Sequence, residues 1–158
     1  MDINPIDITE TLAAKMNLNF SRVDDNEISV QLKNEAPRYI LSVILRSDCD
    51  IIYFSCDMNL YVAKERYASV TEAIVKANEK IWVGHFDLIS SAANRIVYSL
   101  TIPFVSSFSA DEEVMESLIQ LVTDECNRFY PYFAMIIECK EPFDFPINTL
   151  FLESAGEA

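Results

Sequence analysis

The chain has 158 residues, 51% of them hydrophobic, with ten Phe and seven Tyr. That length fits one domain with its own core and that apolar content excludes a disordered chain. Twelve basic residues against 25 acidic ones leave a net charge of −13. This excludes nucleic acid and an anionic membrane surface as natural partners, because both are held by clustered Lys and Arg.

Asn4 can cap a first helix, with Pro5 at its first position and Asp7 in its first turn. Ile8, Leu12 and Met16 give that helix one apolar stripe ending near Asn17. Two strands are expected over Asn19–Val23 and Glu27–Lys33, joined by the polar turn Asp24-Asp25-Asn26. The second alternates cleanly, with Ile28, Val30 and Leu32 opposite Ser29 and Gln31, as in a sheet with one wet side. The next pair, Arg38–Arg46 and Asp50–Met58, does not. Tyr39, Leu41, Val43 and Leu45 share one face, yet Ile40 and Ile44 stand on the other. Ile51 and Tyr53 likewise oppose Ile52, Phe54, Cys56 and Met58.

Residues Asn59–Ala68 read as loop. Ser69-Val70-Thr71-Glu72 has the form of a capping box opening a second helix. Val70, Ala73, Ile74, Ala77 and Ile81 form its stripe, Glu72 and Lys76 pair along it, and Gly84 is expected to close it. Strands follow at His85–Ile89 and Arg95–Ile102, stopped by Pro103. A long final helix starts at Asp111, or with Ser109 as its cap. Val114, Leu118, Leu121, Val122 and Phe129 are its expected buried stripe, and Glu112, Glu113, Glu116, Asp124 and Glu125 its acidic flank. A kink is expected at Pro131. The tail from Glu141 is rich in Phe and Pro and is expected to pack on the domain that spans residues 1–140. Residues 105–158 hold 11 acids and 2 bases, so most of the negative charge sits in the last third.

The order α-β-β-β-β-α-β-β-α predicts an α+β fold: an antiparallel sheet of five to six strands with helices on one face. Here the chain resembles the YbjN family, whose fold is like that of type III secretion chaperones. Val75-Lys76-Ala77-Asn78-Glu79-Lys80-Ile81 leading into Gly84-His85-Phe86-Asp87-Leu88 is similar to the family's helix, with its N-x-x-L/I step before a G-x-F strand. Val97-Tyr98-Ser99-Leu100 is similar to its next strand, Asn19 to Asp25 to its early segment, and Phe129-Tyr130-Pro131 to a Tyr-Pro step in its final helix. Order and length agree over roughly residues 5–138, which leaves the tail outside the resemblance. The resemblance implies a small regulatory or chaperone-like protein, of a family described as sensory transduction regulators, without catalytic residues. Type III chaperones are acidic dimers that bind an extended segment of a partner; this chain shares the acidity.

His85 and Asp87 lie two apart on a strand, so an acid–base pair is conceivable if a cysteine supplied the nucleophile. That pattern supports a small-ligand binder or enzyme as one alternative, and an acidic decoy for a basic protein is another. No metal or cofactor is expected. Cys49, Cys56, Cys126 and Cys139 lack metal-ligand spacing, and His85 is the single histidine. The acidic turns lack a calcium-loop register. With no leader-like N-terminus and no apolar run of spanning length, the expected location is the cytoplasm. The reading carried forward is a non-enzymatic, YbjN-like module that works by binding another protein and is expected to be a homodimer. Its expected contact residues are Ile40, Ile44, Ile51 and Tyr53 on the sheet and Glu112, Glu113 and Glu116 on the final helix.

Overall fold

A computed structural model of the chain describes residues 4–33, 36–104 and 110–139. In chain order they form α1 (Pro5–Lys15), β1 (Phe20–Asp24), β2 (Glu27–Gln31), β3 (Ile40–Arg46), β4 (Ile51–Tyr61), α2 (Tyr67–Asn78), β5 (His85–Ile89), β6 (Arg95–Pro103) and α3 (Glu112–Glu138). The strands make one antiparallel sheet in the order β1-β2-β3-β4-β6-β5. The expected α+β arrangement is therefore the observed one, with six strands. The tail from Glu141 and the alternative cap Ser109 lie outside the described residues.

Alternation decides which side of the sheet the helices cover. Ile28, Val30, Leu41, Val43, Ile52, Phe54, Cys56, Met58, Phe86, Ile96, Tyr98 and Leu100 all point to one face and are buried. α1 packs Ile6, Ile8, Leu12 and Ala13 against this face. Met16, expected in that stripe, is half exposed, because the helix stops at Lys15 and leaves Met16 as its cap. Arg22, on the helix side of edge strand β1, ties it to α1 through Asp7 (2.6 Å) and Glu10 (2.8 Å).

α3 lies along the sheet centre. Asp111 is its cap, with Oδ1 accepting from the Val114 amide at 2.9 Å. The buried stripe is Met115, Val122, Cys126, Phe129, Tyr132 and Phe133. Of the stripe expected from sequence, Val114, Leu118 and Leu121 are only partly buried. The helix is turned so that Cys126 seats over Cys56, and the hydrogen bond to Cys56, together with burial, holds the Cys126 thiol well above its ordinary value. The helix continues through Pro131 to Glu138. Phe86 is the hub between sheet and helix, packing edge-on against Tyr98 (5.2 Å), Phe129 (5.2 Å) and Phe133 (5.1 Å).

Three local expectations fail, each for a physical reason. β4 runs on to Tyr61, because Asn59 takes a left-handed conformation (φ 57°) and makes a bulge that keeps Met58, Leu60 and Val62 facing the core. α2 starts at Tyr67 with Ser69 inside its first turn. A 3-10 turn over Lys64–Arg66 feeds straight into the helix, and no side chain caps it. Gly84 does not close α2, which ends six residues earlier at Asn78. It enters β5 at φ +74°, where a Cβ would come within 2.4 Å of the Tyr98 hydroxyl and 2.6 Å of the Ser99 carbonyl oxygen. The same tight corner lets the Tyr98 hydroxyl donate to the Val83 carbonyl.

Asn78 closes the free edge of β5. Its carboxamide donates to the Phe86 carbonyl (3.0 Å) and accepts from the Phe86 amide (2.7 Å), as a neighbouring strand would.

Three stability outcomes follow from these contacts. Gly84→Ala lowers unfolding free energy by about 2 kcal/mol or more, read from a denaturant melt, because both the φ and the space are wrong. Asn78→Ala costs about 1–3 kcal/mol and speeds hydrogen exchange at the Phe86 amide, since both backbone groups lose their partner. Glu125 on α3 has a buried Oε2 that makes no hydrogen bond, and burial raises its pKa against the pull of Arg128 at 3.6 Å. A carboxyl with a raised folded pKa contributes stability at low pH that is lost as pH rises through that value. Glu125→Gln should therefore raise the melting temperature at pH 7, with the gain vanishing as pH falls through the carboxylate range.

Candidate protein-binding face

The sheet's other face is built by the alternate residues of each strand, and the pairing registers set them in rows across it. One row runs Ser21, Ser29, Ser42, Ser55, Ser99 and ends at His85, crossing all six strands. The row on one side is Gln31, Ile40, Asp57, Val97, Asp87. On the other side stand Glu27, Ile44, Tyr53 and Thr101, followed by Arg46, Ile51 and Pro103. Strands are about 4.8 Å apart, so the five serines make a hydroxyl-lined trough about 20 Å long between two ridges of larger side chains.

Ile40, Ile44, Ile51 and Tyr53 thus share the face predicted for them. Ile40 is 38% exposed and the other three are half-buried. Tyr53 leans across the trough and its hydroxyl shares a 3.0 Å hydrogen bond with Ser99 Oγ. Val97 is 3% exposed and stands apart from the helix-side core. Beside it, Arg95 Nη1 and Asp57 Oδ2 pair at 2.5 Å, while Arg95 Nε is buried and makes no hydrogen bond.

Glu112, Glu113 and Glu116 are exposed, but they lie on α3, on the helix side of the sheet. The structure does not bring them together with the four sheet residues. Glu112 pairs with Lys15 at the end of α1. Glu113 and Glu116 line an open acidic groove of about 550 Å³ with Gln120, Asp124 and Glu125.

His85 and Asp87 are exposed on edge strand β5, at one side of an open groove of about 380 Å³ against Tyr67, Thr71, Val75 and Asn78 of α2. Asp87 Oδ1 accepts from the Leu88 amide at 2.8 Å, so it serves the strand edge. No cysteine joins them among the described residues. Cys56 and Cys126 face each other in the core, Cys49 lies in the β3–β4 turn and Cys139 caps α3. Ser99 stands opposite His85 in the register, but its hydroxyl is engaged by Tyr53. In the acidic turns, Asp24 Oδ1 accepts from the Asn26 amide and Asp48 pairs with Arg46, which holds the Asp48 carboxyl below its ordinary value.

The serine row, Val97 and the fully exposed Trp82 (98%) were not anticipated. Each serine does sit at the outward position of its strand, so the parity was readable. The register that lines them up is not a property of any one strand. Among the described residues, no helix is long and apolar enough to cross a membrane.

No curated protein matches the chain. Its fold is shared with solved structures, of which two are described. One is the crystal structure of YbjN, "a putative transcription regulator from E. coli", at TM-score 0.55 and 11% identity, covering 84% of this chain and 87% of that one. The other is the crystal structure of the ExsC–ExsE complex, at TM-score 0.54 and 11% identity, covering 89% of this chain and 100% of that one. The family model "YbjN: Putative bacterial sensory transduction regulator" matches residues 5–135, which is most of the length and every element of the sheet, and so the chain belongs to the YbjN family.

Proposed function

We propose that this protein is a non-enzymatic binding module that docks another protein on the open face of its sheet. The observation that carries the reading is the set of apolar side chains beside the serine trough. On one side Ile40 is exposed, with Asp57 between it and the buried Val97; on the other stand Ile44 and Tyr53, with Ile51 in the row beyond. A solvent-facing antiparallel sheet ordinarily presents polar side chains there. Apolar side chains gathered in rows mark an interaction surface. The likeness to a solved two-protein complex supports the same reading at the level of fold. Membership of a family described as regulators agrees with action by binding, with no catalytic residue, cofactor or metal required.

The first partner to test is a second copy of the chain, meeting face to face. A different protein is the other candidate. A partner that also used Glu113 and Glu116 would have to wrap past a sheet edge, as an extended segment can, since these carboxylates lie on the far side. Contacts there would weaken with salt, whereas contacts on the ridges would not.

Ile44→Asp places a charge in the centre of the face without entering the helix-side core. It should weaken self-association, or capture of a partner from the native cell, by about tenfold or more while leaving the melting temperature within a few degrees. Sedimentation over a concentration series reads the first, and quantitative pull-down the second. Association unchanged in both, with the fold intact, would place the binding surface elsewhere.

A further inference from the structure

We infer that two copies of the chain associate on the helix side of the sheet, each inserting Trp82 into the groove along the first half of the other's α3. This contact is independent of the sheet-face reading. It leaves both sheet faces uncovered and open to a different protein, the second candidate named for them.

Trp82 carries the inference. It is the single tryptophan of the chain and it is 98% exposed. So much apolar surface in water is costly, and tryptophan is enriched among the anchors of protein interfaces. Nor does it stand alone. Of the nine large hydrophobic residues exposed among the described ones, four lie between Tyr67 and Val83: Tyr67, Val75, Trp82 and Val83. Tyr67, Thr71 and Val75 follow one another at every fourth residue, which sets them in one stripe on the outer side of α2. The turn that bears Trp82 is held in place, because the Tyr98 hydroxyl donates to the Val83 carbonyl and Gly84 is pressed against β6. An anchor presented from a fixed backbone spares the contact much of the entropy of ordering a loop.

The groove lies beside this turn. α2 runs along the second half of α3, where the charge of Glu72 acts on the Tyr132 hydroxyl and the Lys80 carbonyl accepts from Arg128 at 3.5 Å. The first half of α3 extends past the end of α2. Its flank there is the open groove of about 550 Å³, in which Leu121 stands among Glu113, Glu116, Gln120, Asp124 and Glu125. Arg128 also reaches Glu125 at 3.6 Å, so the Trp82 turn and the groove are neighbours on one surface. Two complementary patches side by side suit a two-fold contact. The axis passes between them and lays each on its counterpart in the other copy.

Charge favours the same pairing. Residues 64–84 hold four bases, Lys64, Arg66, Lys76 and Lys80, against three acids, in a chain of net charge −13. Lys64, Arg66 and Lys80 form no ion pair with any described residue. The groove lining has four carboxylates and no base. One of them, Glu125, has an oxygen that makes no hydrogen bond, and an indole N–H entering the groove brings a donor. Acidic surfaces repel one another, so two copies meet most readily where a basic patch faces an acidic one.

The test uses the full chain and the emission of its one tryptophan. As concentration rises through the range in which sedimentation shows a dimer forming, Trp82 emission should move to shorter wavelength and acrylamide should quench it severalfold less. Trp82→Ala should raise the dimer dissociation constant about tenfold or more and leave the melting temperature within a few degrees, since the side chain lies outside the core. Lys80→Glu and the double variant Glu113→Lys/Glu116→Lys should each weaken the dimer severalfold. A chain that stays monomeric, a dimer whose emission matches the monomer's, or one that Trp82→Ala leaves equally tight would overturn the inference. If Ile44→Asp dissolves the dimer and Trp82→Ala does not, the copies meet through their sheet faces, and that reading stands while this one falls. If Trp82→Ala dissolves the dimer while Ile44→Asp changes neither association nor partner capture, the helix-side contact stands and the sheet-face reading is the one that fails.

Discussion

The register of β4 against β3 and β6 is the constraint on which the rest depends. A slip of one residue would send Phe54, Cys56 and Met58 into solvent and bring Tyr53, Ser55 and Asp57 under α3. That is untenable beneath a helix that seats Cys126 on Cys56 and packs Phe129 and Phe133 around Phe86. The burial of one face thus fixes what the opposite face displays. The ridges and the trough are consequences of the same pairing that builds the core.

Holding that register takes devices at the ends and edges of the sheet. The Asn59 bulge lets β4 add three residues beyond Met58 without exposing Leu60. Gly84 brings the backbone against Tyr98 and Ser99 so closely that no side chain fits, which sets where β5 starts against β6. Asn78 stands in for a seventh strand, and Arg22 bolts β1 to α1. Each uses one or two side chains to stop the sheet from pairing onward or sliding.

Element type and order were legible because hydrophobic period is a local property. Ile28-Val30-Leu32 and Val70-Ala73-Ile74-Ala77 each announce their structure within a few residues. The double-sided strands were legible for the same reason: Ile40 and Ile44 break the alternation visibly. What was not legible depends on neighbours distant in sequence. The capping box at Ser69 was locally sound, but a 3-10 turn supplied by Lys64–Arg66 made it unnecessary. Gly84 was rightly read as a left-handed position and wrongly as a helix cap, because the close approach of Tyr98 is tertiary. Met115 and Cys126 replaced Val114 and Leu118 in the stripe of α3 because the seat offered by the sheet chooses which part of a broad apolar helix face turns inward. The acidic flank and the apolar strands were both expected to meet a partner. The topology puts them on opposite sides.

A serine trough between partly apolar ridges has a physical sense that an unbroken apolar face would lack. Ridge residues left open to water are tolerable in narrow strips, while a patch spanning six strands would invite edge-to-edge and face-to-face aggregation. Hydroxyls interrupt the patch at the cost of little volume. Those that reach solvent stay hydrated when the face is open, and when it is covered they can pair with backbone groups of whatever covers it, while the buried Ser99 is satisfied by Tyr53. The hydrogen bond between Tyr53 and Ser99 shows the row can also satisfy itself from within the face. An all-leucine surface would be stable only when covered, and an all-polar one only when open. A serine row flanked by rows that mix isoleucine and tyrosine with polar residues brings the two states closer in free energy. That balance is what a reversible binding surface requires, because a partner can only shift an equilibrium by its difference in affinity for the two states.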